Sequence, residues 1–243
     1  MSSPSSPDNH ARHTSLGRAT PAISAAMEDY LKAIHRLQQN EGRVTTQALA
    51  TELGLSAASV TNMVKRLAEV SLLEHSRYYG VRLTKAGAKV ALEVIRHHRL
   101  LELYLAEAMG YDWDKVHEEA ERLEHHVSSE FESRMDELLG HPEYDPHGDP
   151  IPSLHGELPS AEWHALTEES AGSRVILRRV SDRDAKDLRF LNTIGLTPGV
   201  TFQVLDRAGD TGSDVEVRLG GGRHAIPERL AAGMQIERVD GDQ

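Results

Sequence analysis

The hydrophobic periodicity of this chain changes at a proline-rich stretch, and that change restricts the folds open to it. Before the stretch, apolar residues recur every three to four positions, which indicates amphipathic helices. The stretch itself, residues 141–172, holds five prolines without sustained periodicity and is typical of a linker. Short apolar runs separated by turn residues follow it, at 173–180, 201–207, 213–219 and 235–239. The sequence therefore predicts a mainly α protein with a small all-β domain.

The N-terminal third carries the pattern of a winged helix-turn-helix. Residues 27–38 form one amphipathic helix. Two shorter helical stretches follow, joined by a turn that contains Gly54, and the second begins with the capping residue Ser56. Such a pair is typical of DNA-binding proteins, and two strand-like runs around residues 79–80 would form a wing. An ordinary small helical domain is the alternative at this point.

Two longer helical patterns follow, from Lys85 to Met109 and from about residue 115 to 139. Their apolar seams exceed what a small DNA-binding unit needs, so we expect a helical dimerisation domain. The predicted organisation is a disordered tail at 1–22, a winged helix-turn-helix at 23–84, the helical domain at 85–152, a linker at 153–172 and the β domain at 173–243.

The absence of cysteine excludes several kinds of site. The chain can form no disulfide, thiolate zinc site or cysteine nucleophile. No apolar run approaches the roughly 18 residues that a membrane span needs. The first twenty residues are rich in serine and proline and lack the apolar core of a signal peptide. We therefore expect a cytoplasmic protein that does not associate with membranes.

The net charge of −11 is unevenly distributed. Residues 41–85 carry six Lys/Arg against four Glu, whereas residues 112–145 carry twelve Asp/Glu against three Lys/Arg. Because the acidic residues are concentrated in the second region, the N-terminal part is mildly basic. A phosphate-binding surface is compatible with that part of the chain.

The acidic region contains the stretch VHEEAERLEHHV at 116–127, which places a polar set on one face of a predicted helix. Four residues at positions i, i+4, i+7 and i+8 share that face: His117, Glu121, Glu124 and His125. They flank an apolar seam, where carboxylates are costly unless they are paired or bound to metal. The preceding helix carries His98 and Glu102 one turn apart. Each histidine alone is more simply a hydrogen-bonded or surface residue, but two such faces on neighbouring helices favour a metal site.

A zinc peptidase is the alternative from another functional class. Such enzymes hold zinc with two histidines one turn apart and use an adjacent glutamate as base, in the motif H-E-x-x-H or its inverse H-x-x-E-H. Here HEEAE at 117–121 and ERLEH at 121–125 each lack one required histidine. The sequence also lacks a Ser/His/Asp order and a phosphate-binding glycine loop, either of which would indicate another class of enzyme. We therefore expect no catalytic activity.

The order of these parts resembles the diphtheria toxin repressor family, which includes iron-dependent regulators and manganese transport regulators. The resemblance covers about residues 25–239, including MEDYLKAIHRL, LSAASVTNMVKRL, RHHRLLELYL, KVHEEAERLEHHVS, HPEYDPHGDPIP and the β domain. It implies a transcriptional regulator that acts as a homodimer, binds a divalent metal and then a palindromic operator in double-stranded DNA, and controls genes of metal-ion homeostasis. It also implies that the β domain is an SH3-like, FeoA-type module.

The resemblance further implies two metal sites. The primary site would take Asp29, Glu121, Glu124 and His125, with Glu121 standing where iron-type members have cysteine. The ancillary site would take His98, Glu102 and His117, with Asp182 and Asp184 as the nearest matches to two ligands from the SH3-like domain. The short manganese regulators have a further glutamate where this chain has Lys32, so their paired-metal centre is not copied intact.

The ligand types in the predicted primary site indicate manganese, with iron(II) as the alternative. Carboxylates suit Mn²⁺, which lies at the weak end of the affinity series and needs hard oxygen donors, whereas thiolates favour later transition metals. Since Asp29 precedes the helix-turn-helix and the other ligands belong to the dimerisation domain, the metal would fix the DNA-reading helices. A winged-helix regulator that senses an organic ligand is the alternative, which the hydrophilic ligand face disfavours.

We expect DNA contact from the start of the second helix of the motif and from the wing. Small side chains allow close approach to the bases, an asparagine can read a base edge, and cationic side chains suit phosphates. The candidate residues are Ser56, Ala57, Ala58, Ser59, Thr61, Asn62, Lys65 and Arg77.

Overall fold

The computed structural model describes residues 23–76, 79–207 and 214–239. Three buried apolar clusters lie within these ranges, one in the N-terminal part, one in the central helices and one in the C-terminal sheet. The mainly α architecture with a small β domain is thus confirmed. Among the described helices, none combines the length and the apolar character needed to cross a membrane.

The N-terminal domain contains three helices and a two-stranded hairpin. The helices are α1 (Ala25–Glu41), α2 (Thr46–Leu53) and α3 (Ala57–Glu69), and the strands are β1 (Leu73–Ser76) and β2 (Gly80–Leu83). The side chain of Ser56 accepts a hydrogen bond from the Ser59 amide and so caps α3. Gly54 ends α2 in the left-handed conformation that the tight turn requires. The predicted helix-turn-helix and wing are both present.

The central domain differs from the sequence prediction in its second helix. Helix α4 (Lys85–Glu107) is long and continuous, as expected. The helix predicted over 115–139 is instead three pieces: α5 (Val116–Leu123), a 3₁₀ turn (Glu124–His126) and α6 (Ser129–Leu138). Val127 has an extended backbone, and the side chain of Ser128 accepts a hydrogen bond from Phe131 to start α6 anew.

The proline-rich stretch is not simply a linker, because its first part is packed between two domains. Asp145, His147 and Asp149 are buried. Arg99 of α4 donates hydrogen bonds to the Pro150 carbonyl and, at 3.2 Å, to Asp149. On the other side, the Val180 amide donates to the His147 carbonyl at 2.9 Å. The segment therefore joins the central helices to the C-terminal domain.

The C-terminal domain is a six-stranded antiparallel sheet with two helices. In the order of hydrogen-bonded neighbours the strands are β3 (His164–Ala165), β8 (Gln235–Arg238), β4 (Arg174–Arg179), β5 (Thr201–Arg207), β6 (Val215–Leu219) and β7 (Gly222–Ile226). The predicted linker at 153–172 was wrong at its end, since β3 pairs with β8 and the Leu166 side chain lies in the core. The all-β expectation missed α7 (Ala185–Ile194) and the short α8 (Glu228–Ala231).

Replacing Gly148 by alanine should destabilise the protein much more than replacing Gly140. Both glycines have a positive φ, 85° and 74°. A Cβ at Gly148 would overlap the carbonyl oxygen of Arg178, whereas nothing lies within 4 Å of one at Gly140. We expect Gly140→Ala to cost about 1 kcal/mol and Gly148→Ala about 3 kcal/mol or more. Thermal denaturation followed by circular dichroism measures both, and equal melting temperatures would contradict the tight packing of this segment.

Candidate metal centre

The predicted ligands come from four parts of the chain that meet between the domains. Helix α1 contributes one acidic residue, α4 a histidine and a glutamate one turn apart, and the α5 region four residues. The loop before α7 contributes an aspartate. These residues are Asp29, His98, Glu102, His117, Glu121, Glu124, His125 and Asp182.

The first group joins the N-terminal domain to the central domain. Asp29, Glu124 and His125 present ligand atoms within 4.8 Å of one another. Nε2 of His125 lies 2.8 Å from Oδ1 of Asp29 and 3.5 Å from Oε1 of Glu124. Nδ1 of the same ring contacts Glu28 at 2.6 Å. Burial raises the pKa of Asp29 in spite of the nearby His125. Two carboxylates and one imidazole thus converge from both domains.

A second group shares Glu124 with the first and is occupied by a lysine. His98, Glu121 and Glu124 have ligand atoms within 4.8 Å of one another. Nζ of Lys32, on α1, lies 2.7 Å from Oε1 of Glu121 and 2.6 Å from Oε1 of Glu124. Glu121 is therefore not a member of the group formed by Asp29 and His125, and its partner in this structure is an ammonium group.

The third group has the composition expected of the ancillary site. It consists of His98, Glu102, His117 and Asp182. Nδ1 of His117 lies 3.1 Å from Glu102 and 3.0 Å from Asp182, and Nε2 of His98 lies 3.1 Å from Glu102. Asp182 reaches this group from the C-terminal domain, so the central and C-terminal domains meet there.

Asp184, the other candidate of that domain, lies apart from the group. Its side chain accepts a hydrogen bond from the Lys186 amide and caps α7. It is exposed and belongs to none of the His/Asp/Glu clusters found among the described residues. The structure therefore does not bring Asp184 to the group, and one of its oxygens already serves the helix start.

The charges of the third group are strongly coupled. Burial would lower the pKa of His98, but Glu102 raises it to about 9. Hydrogen bonds to Asp182 and Glu102 raise the pKa of His117 to about 10. Burial would raise the pKa of Glu102, but the charge on His98 holds it well below its usual value. A cation that binds here would therefore compete with protons for the imidazole nitrogens.

The sequence analysis missed two residues of a fourth, fully buried group. Asp145 and His147 of the proline-rich segment lie beside Glu102. Nε2 of His147 is 2.9 Å from the Trp113 carbonyl, while its Nδ1 and Oε2 of Glu102, 3.8 Å apart, have no hydrogen-bond partner. Buried polar atoms are rarely left unpaired, and a cation bound between these two would give both a partner. Their D-x-H spacing was the available indication, although the segment is a turn, closed by a hydrogen bond from the Gly148 amide to the Asp145 carbonyl at 3.1 Å.

The candidate DNA-contacting residues other than Arg77 lie together at the N-cap and in the first part of α3. Ser56, Ala57, Ala58, Ser59, Asn62 and Lys65 are exposed and Thr61 is half-buried. Thr61 turns its hydroxyl back to the Ala57 carbonyl at 2.7 Å. Arg77 lies outside the described residues, and Tyr79, two positions later in the chain, is exposed.

Comparison with known families assigns all three domains. Residues 22–81 match the family described as the N-terminal DNA-binding domain of iron-dependent repressors, and residues 84–153 match the metal-binding and dimerisation domain of the same proteins. Residues 164–238 match the FeoA domain. The family boundary at 164 agrees with the start of β3 rather than with the predicted 173.

Whole-chain relatives show the same organisation. The iron-dependent repressor IdeR of Mycobacterium tuberculosis is 30% identical over 224 residues, covering 87% of this chain and 96% of that protein. The diphtheria toxin repressor of Corynebacterium glutamicum is 32% identical over 225 residues, covering 88% and 96%. A solved manganese-dependent transcriptional repressor in complex with manganese is 35% identical with a TM-score of 0.81, covering 88% of this chain and all of that one. The chain belongs to the diphtheria toxin repressor family of metal-dependent, DNA-binding transcriptional repressors.

Proposed function

We propose that this protein is a repressor activated by Mn²⁺, with Fe²⁺ as the alternative, that binds palindromic operators as a homodimer. The observation that carries the proposal is the group formed by Asp29, Glu124 and His125. Its ligands come from the first helix of the DNA-binding domain and from the 3₁₀ turn of the dimerisation domain. Whatever binds there ties the two domains together.

In this primary site Asp29, Glu124 and His125 would hold the metal, with Glu121 as a fourth ligand. Glu121 shares the Lys32 ammonium with Glu124 and so lies next to the group. When bound, a divalent cation would supply the positive charge that offsets the facing carboxylates. Asp29 then holds α1 in one position relative to α5. Because a twofold dimer must place its recognition helices about 34 Å apart, that position decides operator affinity.

The choice of manganese rests on the donor atoms. The proposed primary ligands are three carboxylates and one imidazole, with no sulfur donor. Such hard oxygen-rich sets suit Mn²⁺, and softer ligands would favour later metals. Iron(II) accepts the same ligand types, and the family contains iron-dependent repressors.

We propose that the ancillary site is formed by His98, Glu102, His117 and Asp182, with His147 completing it. The unpaired Nδ1 of His147 and Oε2 of Glu102 support its inclusion. A ligand from the C-terminal domain gives that domain a regulatory role, since Asp182 couples its position to the dimerisation domain. These residues bind and position, and nothing in the arrangement calls for catalysis.

The second copy would pack on the α5–α6 face of the central domain. Large apolar side chains are exposed there, namely Leu123, Phe131 and Leu138. The ring of Tyr104 on α4 packs edge to face against the ring of Phe131, with centroids 6.1 Å apart. Burial of this patch against its own copy would leave the exposed start of α3 on each protomer available for DNA.

Removal of metal should weaken DNA binding at least tenfold. Without metal, the primary-site carboxylates hold α1 less firmly against the dimerisation domain, so the recognition helices lose their fixed spacing. A duplex selected in vitro for binding serves as the probe, and anisotropy measures affinity with Mn²⁺, with a chelator, and after Mn²⁺ is restored. Equal affinity of the chelated and manganese-loaded protein would refute the proposed function.

Glu121→Cys should change the metal preference, whereas Asp29→Ala should weaken activation by every metal. The cysteine replaces a hard oxygen with a soft sulfur, which favours Fe²⁺, Co²⁺ or Zn²⁺ over Mn²⁺. Its helix-propensity cost is only a few tenths of a kcal/mol. Activation midpoints for DNA binding, measured for each metal, distinguish the two effects. An unchanged metal ranking in Glu121→Cys would remove Glu121 from the primary site.

Asp182→Ala should weaken the ancillary site, and the neighbouring Asp184→Ala should not. Trp113 stacks on His147 with ring centroids 5.5 Å apart, so its fluorescence reports on that site. In a Trp163→Phe background Trp113 is the only tryptophan. We expect Asp182→Ala to raise the Mn²⁺ midpoint of the Trp113 signal about tenfold or more. A similar shift in Asp184→Ala, or none in Asp182→Ala, would count against this ligand set.

A further inference from the structure

We propose that Lys32 is a built-in cation of the primary site: its ammonium takes the place of a second metal ion and links the DNA-binding and dimerisation domains before metal binds. This inference rests on the proposed primary site. It goes further by assigning a role to a residue that cannot itself bind a metal in its charged form.

The first step is the overlap of two ligand groups. One group contains Asp29, Glu124 and His125, and the other contains His98, Glu121 and Glu124. Because Glu124 belongs to both, the structure has the ligands for two neighbouring cations that share one carboxylate.

The second step is the position of the Lys32 ammonium. It lies 2.7 Å from Glu121 and 2.6 Å from Glu124, which are both carboxylates of the second group. The third member, His98, turns Nδ1 to the other oxygen of Glu124 at 2.5 Å. All ligands of the second group thus already have partners, whereas among the described residues no Lys or Arg side chain lies within ion-pair distance of Asp29, which contacts His125.

The third step is charge. The Glu124 side chain has no exposed surface and that of Lys32 is 18% exposed. One ammonium and one divalent ion together give three positive charges against the three carboxylates of Asp29, Glu121 and Glu124.

The fourth step is connectivity. Lys32 and Asp29 are three residues apart on α1 and so lie on the same face of that helix. Asp29 and Glu28 each reach the dimerisation domain through one ring nitrogen of His125, whereas Lys32 reaches two of its carboxylates. The metal-free protein therefore retains part of the DNA-binding arrangement.

Metal stoichiometry gives the first test. In a His117→Ala/Asp182→Ala background, which disables the ancillary site, calorimetric titration with MnCl₂ should give one ion per protomer. Adding Lys32→Glu, which exchanges the ammonium for a carboxylate, should raise this to two. An unchanged stoichiometry, with folding verified by circular dichroism, would overturn the second-cation role.

The interdomain link gives the second test, with metal absent. Lys32→Met and Lys32→Gln should lower the melting temperature of the chelated full chain by roughly 4 °C or more. They should also weaken the residual binding of the chelated protein to the selected duplex about tenfold. Lys115→Met is the control, because it removes an exposed lysine of the central domain that pairs only with the nearby Asp112. It should change neither quantity.

The two proposals fail in different ways. If wild type binds the duplex equally well with and without Mn²⁺, the proposed function fails, and the metal-free melting temperatures still decide the role of Lys32. If wild type responds to Mn²⁺ but the Lys32 variants match it in metal-free stability and DNA affinity, Lys32 is not a link between the domains.

Discussion

The carboxylate of Glu124 has no exposed surface, so positive charge must surround it, and the domain arrangement depends on that requirement. A buried carboxylate without partners costs several kcal/mol. Here the partners come from separate elements: Lys32 from α1, His98 from α4 and His125 from the same 3₁₀ turn. Moving the DNA-binding domain away would remove Lys32 and leave the negative charge of the buried Glu124 without one of its partners. A metal at the adjacent group adds to an attraction that the chain already contains.

The break between α5 and α6 makes this arrangement accessible, and the sequence did not predict it. Apolar residues at 116, 120, 123 and 127 continue a helical seam through the break, so periodicity alone indicates one helix. The structure instead turns at Glu124–His126 and restarts at Ser129. The buried Glu132 of α6 is held by Arg96 at 2.6 Å, and His97 lies between Glu132 and the Glu124 carbonyl. These contacts are distant in sequence, which is why local pattern could not reveal them.

The parts that were predicted correctly are those that local rules decide. Caps such as Ser56 and the left-handed Gly54 determine the helix-turn-helix within a few residues. The fourth group was missed because Asp145 and His147 sit in a segment without periodicity, and only packing brings them to Glu102. Asp184 caps α7, a helix that the sequence analysis did not predict, so its place at a helix start could not be recognised. Lys32 was recognised as a departure from the paired-metal pattern, but its contact with Glu121 required the structure.

The position of Asp182 also links the C-terminal domain to the DNA-binding domain. The next residue, Arg183, lies 3.4 Å from Glu52 of α2, and Arg36 of α1 contacts the same carboxylate. An exposed ion pair of this kind contributes little by itself, since solvent screens it. Arg183 nevertheless follows Asp182 directly in the chain, so the contact between Asp182 and His117 keeps the Arg183 backbone close to α2. Metal at the ancillary site would therefore fix Arg183 beside the helix-turn-helix as well as Asp182 beside α5. The two proposed sites would then both influence the position of the N-terminal domain. The primary site would act through α1 and the ancillary site through α2.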